Sequence, residues 1–163
     1  MQEIERLLDN PDIEVRRDAA ERLKGHSSEA AVNLLLKAMK DTSWRVRKTA
    51  IDILLEEYPI EAYISGLIGL LYIDDNAGAR NSAIETLIKL DKKSTLFLID
   101  AFNTDNRDVR KFIIDVLGEF RDKRSLALML NALKDEDDNV RASAVEHLGK
   151  IGEPAVVNAL IEI

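Results

Sequence analysis

A chain of 163 residues with 46% hydrophobic but only 5% aromatic side chains predicts stacked helices packed through leucine, isoleucine and alanine, and it disfavours a β-sandwich. Because there is no cysteine, disulfides, zinc–thiolate centres and thiol nucleophiles are excluded. The net charge of −7 repels phosphate backbones and anionic lipids, so we expect no nucleic acid and no membrane as partner, but a protein with a basic or polar contact surface.

The N-terminal segment, MQEIERLLDNPDIEVRR, carries charges in every helical turn and has no apolar stretch typical of a signal peptide. No run of 18 apolar residues follows later in the chain. The sequence therefore predicts a cytoplasmic protein that is neither secreted nor membrane-spanning.

A short pattern, V-R-x-x-A-x-x-x-L, recurs five times along the chain and indicates an internal repeat. Its arginines are separated by 31, 33, 30 and 31 residues, and they are Arg16, Arg47, Arg80, Arg110 and Arg141. Four residues before each arginine stands a side chain suited to capping a helix, namely Asp12, Ser43, Asn76, Asn106 and Asp137. Each step therefore predicts one pair of helices, with the second helix beginning at the capping residue.

In chain order, the helix pairs are predicted over residues 1–26, 27–58, 59–91, 92–122 and 123–152, followed by a C-terminal half repeat over 153–163. The turns between them are short, which makes neighbouring helices antiparallel. We expect an all-α fold, an α-solenoid or α-α superhelix forming a single repeat domain over 1–163. The half repeat is apolar on more than one side, so either the chain is a fragment of a longer array or this end is covered by self-association or by a partner.

The fifth unit, ALKDEDDNVRASAVEHLGKIGEPAVVNAL, resembles the short HEAT-like repeat of phycobilisome lyase subunits and of many archaeal and bacterial scaffold proteins. The resemblance spans essentially the whole chain. The hallmark aspartate before the second helix matches Asp41, Asp74 and Asp135, while Asn10 and Thr104 depart from it. The resemblance implies a structural ladder in which these aspartates and the five arginines link successive repeats, and it implies that the second helices line a concave face. A phosphate-binding ladder of arginines is the alternative.

An acidic residue recurs five positions after each arginine, nearly opposite the apolar stripe, at Glu21, Asp52, Glu85, Asp115 and Glu146. Four residues before these acids stand Arg17, Lys48, Asn81, Lys111 and Ala142, which predicts three ion pairs and leaves Glu85 and Glu146 without one. Two interpretations stay open. The face is either simply solvated or a net acidic groove for a basic or polar protein segment.

Trp44 lies in the first turn of a second helix, where the other repeats place Ile13, Ala77, Arg107 and Asp138. Such variation indicates a position at the surface or rim. The sequence does not distinguish an interface hot spot from a half-buried packing role for this tryptophan.

No metal or cofactor site is expected. The acidic run over 135–139 resembles a calcium loop, but Val140 stands where such a loop needs glycine. His26 and His147 are 121 residues apart, and each is interpreted as a surface or turn residue.

The chain has no GxSxG, GxxxxGK[ST], GxGxxG or HExxH motif, so we expect no enzyme activity. The leading hypothesis is a scaffold for protein–protein interaction that binds its partner on the concave face. The alternatives are an accessory subunit of an enzyme, as in a bilin lyase-like complex, and a nucleic-acid-binding HEAT-like module, which would need a basic concave face.

Overall fold

The computed structural model describes residues 1–151, and this part of the chain is entirely helical, as predicted. Its α-helices are α1 (Gln2–Leu8), α2 (Ile13–Glu21), α3 (Glu29–Ala38), α4 (Trp44–Glu57), α5 (Ile60–Gly69), α6 (Ala77–Leu90), α7 (Thr95–Ala101), α8 (Arg107–Phe120), α9 (Leu126–Ala132) and α10 (Asp138–Ile151). Three short 3₁₀ turns accompany them at Leu70–Tyr72, Asp91–Lys93 and Lys123–Ser125. The predicted half repeat over 153–163 lies outside the described residues.

The described helices are organised in two compact units, one over residues 1–86 and one from residue 87 onward, with the boundary inside α6. In the first unit α1 packs on α2 and α3 packs on α4, and the successive pairs stack through α2 on α4 and α3 on α5. In the second unit α7 packs on α8, α9 packs on α10, and α8 stacks on α10. The expectation of one continuous repeat domain over 1–163 stays a prediction.

The predicted capping residues begin the second helices. Asp12, Asn76, Asn106 and Asp137 each accept a hydrogen bond from a backbone N–H in the first turn of the following helix. Ser43 also precedes its helix, but its side chain makes no capping hydrogen bond. Instead, the backbone N–H of Ser43 donates to Asp41 at 2.7 Å. The helix starts are therefore confirmed, with a different hydrogen bond at one of them.

The core follows the repeat pattern. The small residue in the middle of each second helix is at most 1% exposed in four repeats, at Ala19, Ala50, Ala83 and Ala144. Ile113 takes this place in the fourth repeat and is also fully buried. The leucine one turn later is fully buried in all five, at Leu23, Leu54, Leu87, Leu117 and Leu148. Small residues beside large ones let neighbouring helices approach closely, so this apolar stripe holds the stacked pairs together.

None of the helices within residues 1–151 combines the length and the apolar character that crossing a bilayer requires.

Candidate functional site

The five repeated arginines share one contact with the main chain. In each repeat Nη1 donates to a carbonyl oxygen in the loop that precedes the arginine's own helix, at 2.7–2.8 Å. The accepting residues are Asn10, Asp41, Ile73, Thr104 and Asp135. Each arginine therefore links its own helix to the loop before it. One N–H group of the guanidinium is thus used for a contact within the repeat.

Two arginines also reach the aspartate of the next repeat. Arg16 binds both carboxylate oxygens of Asp41 at 2.6 and 3.0 Å, and Arg110 binds both oxygens of Asp135 at 2.9 Å. All four side chains are at most 12% exposed. The hydrogen bond with Asp41 raises the pKa of Arg16 above its usual range. Burial opposes ionisation of Asp135, but the hydrogen bonds from Arg110 and from the backbone N–H of Asp137, together with the charges of Arg110 and Arg141, outweigh it and lower its pKa. The guanidinium groups of Arg16 and Arg110 are therefore occupied by hydrogen bonds within the protein and are not available to a ligand.

The expected place of Asp74 in the ladder is wrong. Asp74 is exposed, and Nε of Arg47 donates instead to the hydroxyl of Ser82 in α6 at 2.9 Å. The reason is loop length. The paired aspartates follow their arginines by 25 residues, as in Arg16 and Asp41, whereas Asp74 follows Arg47 by 27. Two extra residues in this step carry the carboxylate past the guanidinium.

The charged residues predicted on the outer side of the second helices form partly different pairs from those expected. Lys48 binds Asp52, and Lys111 binds Asp115 at 2.6 Å, as predicted. Arg17, however, binds Glu14 at 2.8 Å and Asp18 at 3.2 Å. Six members of the predicted surface are exposed, namely Glu21, Trp44, Lys48, Asn81, Glu85 and Glu146.

Glu146 corrects a second expectation about that surface. It was predicted to lack an ion pair, yet Lys150, one turn later in α10, donates to it at 2.8 Å. This hydrogen bond lowers the pKa of Glu146 below its ordinary value. The prediction considered only partners on the N-terminal side of each acid, so it missed the lysine on the other side.

Asp115 takes part in helix stacking and is only partly accessible. Its carboxylate accepts hydrogen bonds from Lys111 in α8 and from Ser143 in α10, and Nε2 of His147 lies 3.5 Å away. Burial alone would raise the pKa of Asp115, but the hydrogen bonds from His147, Lys111 and Ser143 outweigh it and lower the pKa to about 2. We conclude that Asp115 links α8 to α10.

The prediction that His147 is a surface residue is wrong, because its side chain is only 5% exposed. It packs against Gly118 of α8, where a Cβ would lie 2.1 Å from the imidazole ring. Its Nδ1 is buried and has no hydrogen-bond partner among the described residues. The signal in the sequence was the glycine near the C-terminal end of α8, which leaves room for a ring from the neighbouring helix.

Trp44 is 61% exposed in the first turn of α4, so the half-buried packing role is ruled out. The equivalent residue of the preceding repeat, Ile13 in α2, is 44% exposed. Both border an open cavity of about 640 Å³ between the N-terminal ends of the two helices. We call this the Trp44 cavity, and it is lined by Pro11, Asp12, Ile13, Glu14, Thr42, Ser43, Trp44 and Arg45.

Charged side chains at the rim of the Trp44 cavity contact one another in series. The guanidinium carbon of Arg45 lies 5.9 Å from the centroid of the Trp44 ring, a cation–π distance. Arg45 also binds Glu14 at 3.3 Å, and Glu14 in turn binds Arg17 at 2.8 Å. Sequence reasoning missed Ile13, Glu14 and Arg45 as neighbours of Trp44, although Ile13 and Trp44 occupy the same position three residues before their repeat arginines.

The acidic run before α10 is engaged in other contacts. Asp135 binds Arg110, and Asp137 caps α10. Within residues 1–151 no cluster of three or more histidine, aspartate or glutamate side chains has an arrangement that could hold a metal ion.

A sequence profile of HEAT repeats matches residues 3–88 and 95–163 of this chain. A search of curated proteins found no match. Among solved structures, the chain is similar to TOG3 of Mini spindles from Drosophila melanogaster, with 17% identity over 100% of this chain and 87% of that one and a TM-score of 0.63.

Two enzyme-related structures are also similar. Human deoxyhypusine hydroxylase in complex with glycerol is 19% identical over 98% of this chain and 65% of that one, with a TM-score of 0.51. The complex of CpcE and CpcF of phycocyanin lyase from Nostoc sp. is 21% identical over 98% of this chain and 68% of that one, with a TM-score of 0.47. At such identities the likeness concerns the fold alone.

Proposed function

This chain belongs to the HEAT repeat family, and from that premise we propose that it is a non-catalytic scaffold that binds a partner protein at the Trp44 cavity. A repeat protein of this kind stacks its helix pairs to build an extended surface, and binding residues are carried on that surface by a rigid core. The proposal assigns the partner-binding surface to α2 and α4.

The observation that carries this proposal is the exposure of Trp44 and Ile13 side by side at one open cavity. An exposed tryptophan offers a large area with little conformational entropy to lose, and tryptophan is enriched among residues that dominate binding energy. Isolated exposed apolar side chains need no explanation, but two of them bordering a common cavity fit an anchor site for a partner's side chain.

The cavity is held in place by buried contacts beneath it. Arg16 of α2 binds Asp41, which also accepts the backbone N–H of Ser43 immediately before α4. The first turns of both helices are thereby linked through one carboxylate. A preorganised surface loses less entropy on binding, which favours recognition at this point.

The polar residues farther along α2 and α4 complete the proposed surface. Arg17, Glu21, Lys48 and Asp52 would form its rim, where charges tune specificity and association rate more than affinity. Asp115 is left out of the surface because its carboxylate is already bound to Ser143 and lies next to His147. The enzymatic activities of the similar proteins are not part of the proposal.

Affinity capture with matched variants tests this function. Tagged wild-type protein, Trp44→Ala and Leu96→Ala would be used to capture proteins from extracts of the source organism, with quantitative mass spectrometry as readout. Leu96 is the matched control because it is another large apolar side chain, 56% exposed, that does not border the cavity.

We expect at least one protein to be captured by wild type and by Leu96→Ala and to be reduced about tenfold or more by Trp44→Ala. Equal capture by all three proteins would place the binding site elsewhere. The absence of any specifically captured protein would contradict the scaffold function itself.

A further inference from the structure

We infer that the Trp44 cavity receives a basic segment of the partner protein, and that Arg45 occupies the place of the partner's cationic side chain in the free protein. This inference rests on the proposed function and adds the chemical class of the ligand. It also makes Arg45 a competitor for the site.

The position of Arg45 defines what a cation needs at this site. Its guanidinium lies over the Trp44 ring at 5.9 Å and binds the carboxylate of Glu14 at 3.3 Å. An aromatic face and a carboxylate together recognise arginine or lysine, the first through the ring quadrupole and the second through charge. The site is thus built for a cation and currently holds one from its own chain.

The charges of the lining favour a basic ligand over an acidic one. Besides Arg45, the charged residues that line the cavity are Asp12 and Glu14, so a cavity cleared of Arg45 is bordered by two carboxylates, of which Glu14 keeps its ion pair with Arg17 at 2.8 Å. Residues 1–86 as a whole carry 16 acidic and 11 basic side chains. The N-terminal ends of α2 and α4 add partial positive charge, but only about half a unit each, and Asp12 already caps α2. Without Arg45 the lining itself contains no positively charged side chain.

The contacts of Arg45 are weak enough to be displaced. The Arg45 and Glu14 side chains are 58% and 50% exposed, and contacts between side chains this exposed each change an equilibrium constant by about fivefold or less. A partner that also buries apolar atoms against Trp44 and Ile13 gains more than the loss of these contacts costs. Arg45 therefore lowers the affinity of the site without closing it.

The fluorescence of Trp44 provides a direct readout, because it is the only tryptophan in the chain. The probe is a synthetic octapeptide of alternating arginine and glycine, and the matched peptide carries glutamate in place of each arginine. The variants are Arg45→Ala, Glu14→Gln and Lys24→Ala. Lys24→Ala is the control for net charge, because it removes one positive charge from an exposed side chain of residues 1–86 that neither lines the cavity nor belongs to its proposed rim.

We expect Arg45→Ala to bind the arginine peptide about three- to tenfold more tightly than wild type, while Lys24→Ala stays within about twofold. Glu14→Gln should bind it more weakly, and the glutamate peptide should leave the emission unchanged. Equal tightening by Arg45→Ala and Lys24→Ala would show a general effect of net charge and overturn the role of Arg45. A stronger response to the glutamate peptide would overturn the assignment to a basic ligand.

The peptide titration and the capture experiment together distinguish an error in the basic-segment inference from an error in the proposed binding site. If Trp44→Ala abolishes capture of a partner but neither peptide changes the Trp44 emission, the basic-segment inference is wrong and the scaffold function stands. If Trp44→Ala captures partners as well as wild type, the proposed site fails and this inference fails with it.

Discussion

Arg110 binds both carboxylate oxygens of Asp135 at 2.9 Å and thereby joins α8 to the loop between α9 and α10, the two helices of the next pair. The two side chains are each 8% exposed, so the pair lies in a region of low dielectric constant. The same two-pronged contact between Arg16 and Asp41 links the first two helix pairs. Removal of either aspartate takes the two-oxygen partner from a buried guanidinium, and Arg110 then keeps only the exposed carboxylate of Glu136 at 3.1 Å.

Asp135→Ala should lower the free energy of unfolding by about 3 kcal/mol, because the buried Arg110 would keep only one contact to the exposed carboxylate of Glu136. Urea denaturation followed by circular dichroism measures the loss. Asp138→Ala is the control, since the Asp138 carboxylate is 89% exposed in its ion pair with Arg141 and its removal should cost at most about 1 kcal/mol. Similar losses of stability in both variants would show that the buried Arg110–Asp135 pair contributes no more than the exposed Arg141–Asp138 pair.

Asp41→Ala and Asp74→Ala should differ, although both residues carry the same signature in the sequence. Asp41 binds Arg16 and accepts the N–H of Ser43, so its loss should cost about 3 kcal/mol. Asp74 is exposed and lies two residues too far from Arg47, so its replacement should change stability by about 0.5 kcal/mol or less. Thermal and urea unfolding measure the stability of the two variants. A large loss of stability in Asp74→Ala would show that Asp74 does take part in the ladder.

Gly118→Ala should destabilise the protein by about 1–2 kcal/mol, even though alanine is the better helix former by about 1 kcal/mol. The new Cβ would lie 2.1 Å from His147, whose ring is buried and has little room to move. Gly69→Ala is the matched control, because a Cβ there meets no atom within 4 Å apart from its chain neighbours and the backbone of its own helix, and this variant should be neutral or slightly stabilising.

A double-mutant cycle with His147→Ala completes the Gly118 test. If the ring is the obstacle, the loss from Gly118→Ala should be largely relieved in the His147→Ala background. Additive losses in urea denaturation would show that the clash with the imidazole is not the cause.

Stability should depend on pH through Asp115. Its pKa is about 2 in the folded protein, against an ordinary value of 3.8, so the unfolded chain binds more protons than the folded protein between these values. The stabilisation from Asp115 is therefore complete above about pH 4 and is lost as the pH falls toward 2. Because about a third of the side chain is exposed, solvent screening reduces this contribution to about 1 kcal/mol.

Comparison of wild type with Asp115→Asn measures this share. The difference in their free energies of unfolding should shrink by about 1 kcal/mol between pH 5 and pH 2.5. A difference that is the same at both pH values would show that ionisation of Asp115 does not contribute.

The candidate site was only partly predictable from the sequence. Trp44 could be placed in the first turn of a second helix, because the repeat pattern locates that turn. Its nearness to Ile13 and Glu14, about 30 residues away in sequence, depends on how α2 stacks on α4. Likewise, Asp115 had the same spacing as the other recurring acids, and only the approach of α10 makes it an internal link.

What the sequence alone determined were the features that depend on neighbours a few residues away: the helical class, the repeat, the start of each second helix and the buried apolar stripe of that helix. Capping hydrogen bonds and the period of an amphipathic helix depend on residues close in sequence, so they can be predicted from one sequence. Only the tertiary structure decided that Arg47 binds Ser82 and not Asp74, and that His147 is buried against Gly118. These contacts depend on loop lengths and on the absence of one Cβ from a neighbouring helix, and such differences of a few ångströms arise only when the helices pack.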